Sequence, residues 1–174
     1  INRVPDLYPA RVLVWGVPEP TEVGCLPGMI ETDHHRFCVV ETPGHCKGHV
    51  ALIEPTEGWC FSGDLFIAPK PRFFRQSEED LNATISSMEI RFESDRLILF
   101  TGPGDIEADG RQALRARLEH YRILSQRAKE LLHQGLSIYD IKEELFGDEG
   151  FVPRATEGDM SSEHLVRALL AVDG

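Results

Sequence analysis

A neutral imidazole and a carboxylate are good ligands for zinc and similar ions, and this chain carries one of each at the two ends of what reads as a hairpin. His45 sits in the turn Pro43-Gly44-His45, ahead of the apolar run Val50 to Ile53, and Asp64 sits in Ser62-Gly63-Asp64, after the apolar run Trp59 to Phe61. The intervening Glu54-Pro55-Thr56-Glu57-Gly58 is made of turn formers, so the two runs pair as antiparallel strands and their open ends meet at one sheet edge. His45 and Asp64 would converge there as the beginning of a metal site. Pro-Gly and Ser-Gly are also ordinary turns in which His and Asp are commonly solvated, so spacing alone leaves both readings open. His49, on or near the first strand, reads as a structural histidine that hydrogen-bonds within the turn, with metal ligation as the second reading.

The pair Thr-Pro-Gly-His-x-x-x-His-Val-Ala-Leu and Phe-Ser-Gly-Asp-Leu-Phe resembles the middle of a metallo-β-lactamase-fold hydrolase. That superfamily includes glyoxalase II and many thioester, phosphodiester and lactam hydrolases. The resemblance spans nearly the whole chain and implies an α/β fold, the αββα sandwich, of which these residues form the second half. Residues 1–109 would be the partial α/β region and residues 110–174 a helical C-terminal appendage. As cofactor the resemblance implies zinc or another divalent transition metal, with His45 a terminal ligand and Asp64 bridging two ions. As chemistry it implies attack of a metal-activated hydroxide on an ester, thioester or phosphoester.

Two departures from the family pattern temper that expectation. The principal motif, His-x-His-x-Asp-His, is absent from the chain, its place falling before Ile1, and the ligand His of the last strand is replaced by Pro103 ahead of Gly104. Two ligands then remain, against three protein ligands at a typical catalytic zinc, so these residues alone are expected to hold zinc weakly. The implied function is a metal-dependent hydrolase, impaired or incomplete in this chain. The alternative is a non-catalytic binding or scaffold protein that keeps the fold without a complete metal site. No catalytic residue beyond the two ligands is identified. A chain that begins with Ile rather than Met suits a fragment or a processed product.

Several elements have to position these residues. Met29 to Thr32 and Phe37 to Val40 flank Asp33-His34-His35-Arg36, which reads as a second hairpin; adjacent histidines on a strand point to opposite faces, so His34 and His35 read as a solvated turn rather than a chelate. Upstream, the run Val12 to Trp15 fits a short strand or a turn of helix. After Asp64, the loop Ile67 to Gln76 gathers Lys70, Arg72 and Arg75 around Phe73 and Phe74, a basic and aromatic segment suited either to an anionic substrate or to packing on the core. Ser77 resembles an N-cap for a helix with Leu81, Ile85, Met88 and Phe92 on one face. Arg96 to Phe100 is of the buried-strand type. Beyond Gly110 the pattern is helical only. A long helix carries Leu114, Leu118, Tyr121, Leu124, Ala128, Leu131 and Leu132 and ends at Gly135. A second helix opens at Ser137 with Asp140 in capping-box spacing, and a third begins at Ser161 or Ser162. His120, His133 and His164 read as surface or capping residues.

At 174 residues with 41% hydrophobic content the chain can bury one sizeable core. A net charge of -11 argues against nucleic acid and anionic membranes as partners, because both are held by basic patches. The expected partner is a small-molecule substrate, an anionic one being suited to the basic loop. No signal peptide or apolar run of membrane-helix length is present, so the cytoplasm is the default expectation. Cys25, Cys38, Cys46 and Cys60 lack CxxC spacing and read as free thiols. Half a sandwich leaves the inner face of its sheet bare, so either a missing N-terminal half or a homo-oligomer is expected to cover it.

Overall fold

The computed structural model describes residues 28–89 and 96–172, together with the backbone of two short strands, β1 (Leu13–Val14) and β2 (Gly24–Cys25), which pair in parallel. The apolar run at the start is therefore a strand where it is described. Val12, Trp15, Phe92 and the side chain of Cys25 lie outside the described residues.

Both expected hairpins form. β3 (Met29–Glu31) pairs antiparallel with β4 (Arg36–Glu41), and β5 (Val50–Glu54) with β6 (Trp59–Gly63). The second turn closes through the Gly58 N–H on the Glu54 carbonyl at 3.0 Å, with Gly58 at φ +70, a conformation that favours glycine. β8 (Ile98–Thr101) then lies parallel to β6, and β9 (Ile106–Glu107) adds the far edge, giving one six-stranded sheet in the order β3-β4-β5-β6-β8-β9. In the first hairpin turn His34 is exposed, whereas His35 is half-buried with its ring 4.9 Å from that of Trp59. The two histidines do not share a ligand position.

Alternation along the strands separates two faces of this sheet. One face sends Ala51, Cys60, Leu97 and Leu99 into the core, where they meet Leu81 and Met88 of α1 (Leu81–Met88), Leu114 and Tyr121 of α2 (Gly110–His133), and Leu165 and Leu169 of α5 (Ser162–Leu170). Burial pushes the Cys60 thiol up to about 12, so this cysteine is an inert core residue. The opposite face carries an aromatic row in which Phe61 stacks on Phe100 at 4.7 Å and meets Phe37 at 5.9 Å, while Phe61 stays 40% exposed. Helix α2 starts hard against the sheet. A side chain at Gly110 would place Cβ 2.6 Å from Leu99, which is why the first residue of this helix carries none.

The C-terminal segment is richer than three helices. Between α3 (Ile138–Phe146) and α5 lie a one-turn helix, α4 (Val152–Ala155), and a short strand, β10 (Met160–Ser161), which pairs antiparallel with β7 (Phe74–Arg75). This pairing ties the loop after Asp64 to the helical segment. Ser137 and Asp140 form the expected capping box, Ser161 caps α5, and Gly135 follows the C-cap of α2 at φ +90. The cap of α1 is Asp80, not Ser77; the Ser77 hydroxyl instead bonds Asp159 at 3.2 Å. Within α2 the buried positions are Gly110, Leu114, Arg117, Tyr121, Ser125, Ala128 and Leu131, and Leu132, one residue round the helix, is 44% exposed. Among the described residues no helix is long and apolar enough to cross a membrane.

Candidate metal-binding pocket

The turn that carries His45 is pinned from outside by α1. The Asp80 N–H donates to the Gly44 carbonyl at 2.7 Å, and the Ser87 hydroxyl donates to the Pro43 carbonyl at 2.7 Å. Gly44 lies so close to the helix that an added Cβ would sit 2.6 Å from the Thr84 backbone, and its φ of +139 excludes other residues on conformational grounds as well. The sequence Pro43-Gly44-His45 therefore serves to press a histidine between a sheet edge and a helix start.

Both ring nitrogens of His45 face carboxylates. Nδ1 is 3.0 Å from Glu79 Oε1, and Nε2 is 3.3 Å from Asp64 Oδ2. A carboxylate only accepts, so Nδ1 carries its proton toward Glu79, whose other oxygen accepts the Arg75 N–H at 2.7 Å. With Nδ1 protonated, Nε2 and Asp64 Oδ2 are two electron-rich atoms held at one edge, and that edge suits a cation: a proton on Nε2, or a metal ion. A histidine whose far nitrogen donates to a carboxylate is the usual outer arrangement around a metal-binding imidazole. Spacing in the sequence finds His45 and Asp64 and misses Glu79.

Asp64 is set by two further contacts. Its backbone N–H donates to His49 Nε2 at 3.0 Å, which makes His49 Nδ1 the protonated nitrogen, donating to Thr42 through its hydroxyl at 2.7 Å and its carbonyl at 3.1 Å. His49 is thus the structural histidine expected, bracing the first strand's entry against the second strand's exit. Burial first, and the neighbouring His45 next, hold its imidazole below the usual range. On the other side, a Cβ at Gly102 would stand 2.2 Å from Asp64 Oδ1, so the Gly102-Pro103-Gly104 turn can lie beside the carboxylate because its first residue is glycine. Pro103 is exposed there and offers no donor. Among the described residues no group of three or more His, Cys, Asp or Glu side chains is placed to hold a metal. An imidazole and a carboxylate fit one edge of a divalent transition-metal site and fall one protein ligand short of a typical catalytic zinc.

His45, Asp64 and Glu79 open onto a cavity of about 320 Å³, whose other walls come from the loop after Asp64, from α2, from Thr84 of α1 and from Met160 of β10. Ile67, Phe73, Phe74 and Met160 make it apolar; Lys70, Arg72, Arg117 and Tyr121 add polar groups. The basic loop does less than its sequence suggests. Arg72 donates to the Phe146 and Asp148 carbonyls at the end of α3, and Arg75 bonds Glu78 at 3.0 Å and approaches Asp159 at 3.5 Å. A larger groove of about 660 Å³ along α2 shares no lining residue with this cavity.

Solved structures supply the comparison. The chain is similar to a metallo-β-lactamase family protein, TTHA1429, from Thermus thermophilus, at 20% identity and a TM-score of 0.59 over 86% of this chain and 50% of that one. It is similar to a β-lactamase domain protein from Burkholderia ambifaria, at 18% identity and a TM-score of 0.63 over 95% of this chain and 48% of that one. A sec-alkylsulfatase, Pisa1, from Pseudomonas sp. matches at 17% identity and a TM-score of 0.59, over 86% of this chain and 26% of that one. No family model matches the chain. The chain has the metallo-β-lactamase fold, and it spans about half the length of the first two proteins.

Proposed function

We propose that this metallo-β-lactamase-fold chain provides one edge of the metal centre, and the substrate cavity, of a metal-dependent hydrolase. The observation that carries the reading is the 3.3 Å approach of His45 Nε2 to Asp64 Oδ2 at the wall of a cavity, with Glu79 on the far nitrogen of the same ring. His45 and Asp64 would hold a divalent ion, zinc or a similar transition metal, with further ligands from outside the described residues. When bound, such an ion supplies an acidified water and a Lewis acid. The chain's own residues do the rest of the positioning: Glu79 holds the proton on Nδ1 and so keeps Nε2 free, His49 fixes the backbone of Asp64, and the apolar walls keep bulk water from the bond to be cut. Ester, thioester and phosphoester bonds all suit this chemistry, and fold likeness does not choose among them.

A second reading, a binding or scaffold protein with the fold and no working metal centre, draws on Pro103 in the turn whose Gly102 lies against Asp64 and on the absence of a group of three or more metal-ligating side chains among the described residues. One experiment separates the two. Elemental analysis and zinc titration of the purified protein are expected to give uptake that His45→Ala and Asp64→Asn each abolish, together with zinc-dependent cleavage of a panel of model esters, thioesters and phosphodiesters. Uptake that neither substitution alters would overturn the metal reading, and stoichiometric uptake without cleavage of any panel member would leave the binding protein as the better account.

A further inference from the structure

Arg117 on α2 is only 5% exposed and lines the cavity that holds His45 and Asp64. Buried charges in proteins are ordinarily paired with an opposite charge. Among the described residues, no carboxylate pairs with Arg117. Its Nη1 donates to the Ala68 carbonyl at 2.6 Å and its Nη2 to the Tyr121 hydroxyl at 2.9 Å, while the guanidinium lies 5.4 Å from the ring centres of both Phe66 and Tyr121. The aromatic faces offset part of the cost of burying the cation. They do not neutralise it, and the buried Nε has no partner at all.

The surroundings do not supply the missing anion. Asp64 is engaged with His45, and the two oxygens of Glu79 are taken by His45 and by the Arg75 N–H. Lys70 lines the same cavity from an exposed position and adds to the positive charge. After burial, Lys70 and then Arg117 are what hold His120 below the usual imidazole range, so both cations act on the same neighbourhood. Of the other loop cations the sequence puts forward, Arg72 lines the cavity but donates to the Phe146 and Asp148 carbonyls, and Arg75 is held by Glu78 and Asp159.

We propose that Arg117, seconded by Lys70, is the anion-recognition point of this cavity, taking the carboxylate, phosphate or sulfate group of an amphiphilic small molecule whose apolar body lies against Phe73, Phe74 and Met160. A planar guanidinium with N–H groups left over matches such oxyanions in a way a lone ammonium does not. This deepens the hydrolase reading by naming its substrate class, and it rests on that reading only for the claim that the bound molecule is turned over.

Binding is therefore measured in the presence of a chelator, at low salt, with hexyl phosphate, hexanoate and hexanol as probes and calorimetry as the readout. At least one of the two anions is expected to bind roughly tenfold or more tightly than hexanol, as charge-assisted hydrogen bonds in a buried site would give, and comparing the two shows which oxyanion is preferred. Arg117→Gln is expected to remove that preference, and Lys70→Gln to reduce it by about two- to fivefold. Hexanol binding as well as both anions, or Arg117→Gln keeping the preference, overturns the proposal. Should Arg117→Gln not fold, the wild-type protein still decides: the side-chain N–H resonances of its buried arginine must shift with the preferred anion and stay in place with hexanol, and no shift overturns the proposal. A protein that binds the anion through Arg117 and takes up no metal fails the hydrolase reading and keeps this one.

Discussion

Replacing Glu79 with glutamine preserves the shape of the side chain and reverses one hydrogen-bonding face, which isolates what the carboxylate does for His45. In the native site Glu79 Oε2 accepts the Arg75 N–H at 2.7 Å while Oε1 stands 3.0 Å from His45 Nδ1. The side chain of Glu79 is 14% exposed and that of His45 22%, so solvent replaces either bond only in part. In Glu79→Gln the single carbonyl oxygen is claimed by the Arg75 N–H, and the amide nitrogen, a donor, turns toward Nδ1. A donor opposite Nδ1 favours the tautomer with its proton on Nε2, the atom that faces Asp64. A hydrogen bond to an ionised group contributes about 1.5–3 kcal/mol, and the variant retains one neutral version of each bond, so a stability loss of about 1–2 kcal/mol is expected in urea denaturation. Zinc affinity should fall further, by about 10–100-fold, the usual effect of losing an outer partner of a ligating histidine. The direct readout is the nitrogen chemical shifts of the neutral His45 ring: the wild type should carry Nδ1–H and the variant Nε2–H. A variant with the Nδ1–H tautomer and wild-type zinc affinity would refute the role given to Glu79.

Two further outcomes follow from the same geometry. His49 is held below its ordinary value of 6.5 by burial and by His45, so the unfolded chain binds its proton more readily than the folded one; this contribution to stability is present above about pH 6.5 and is lost as the pH falls toward the folded value. Urea midpoints measured at pH 7 and pH 5 should therefore fall more in the wild type than in His49→Gln, whose amide oxygen can still accept the Asp64 N–H, and equal falls would remove His49 from the account. Gly102→Ala places a Cβ 2.2 Å from Asp64 Oδ1, so the carboxylate must swing away or the turn must shift. The expected result is a stability loss of about 1–3 kcal/mol with zinc affinity reduced roughly tenfold or more; unchanged zinc affinity would mean that Asp64 does not ligate from this rotamer.

The hairpins and the His45–Asp64 meeting were legible because they are local: turn chemistry and strand alternation bring the open ends of β5 and β6 together, although α1 then pins the His45 turn. Features set by contacts across long sequence separations were not. Ser77 has the type and acidic followers of an N-cap, yet Asp159, reached only because β10 pairs with β7, takes its hydroxyl and leaves capping to Asp80. Lys70, Arg72 and Arg75 read as a basic loop suited to an anion; Lys70 and Arg72 do line the cavity, but the same long-range packing draws the Arg72 guanidinium toward the end of α3 and Arg75 toward Asp159. The buried cation of the cavity, Arg117, was hidden by its place on an apolar helix face, whereas Lys70 and Arg72 line the same cavity from the loop. Arg117 lies three residues after Leu114 and four before Tyr121, on the arc of α2 that the apolar residues trace, and an apolar stripe drawn through Leu118 passes over it. A charged residue on the buried arc of an amphipathic helix is itself a signal, because its desolvation has to be offset by something at that spot. Here the offset visible in the structure is a carbonyl, a hydroxyl and two ring faces, none of them an anion.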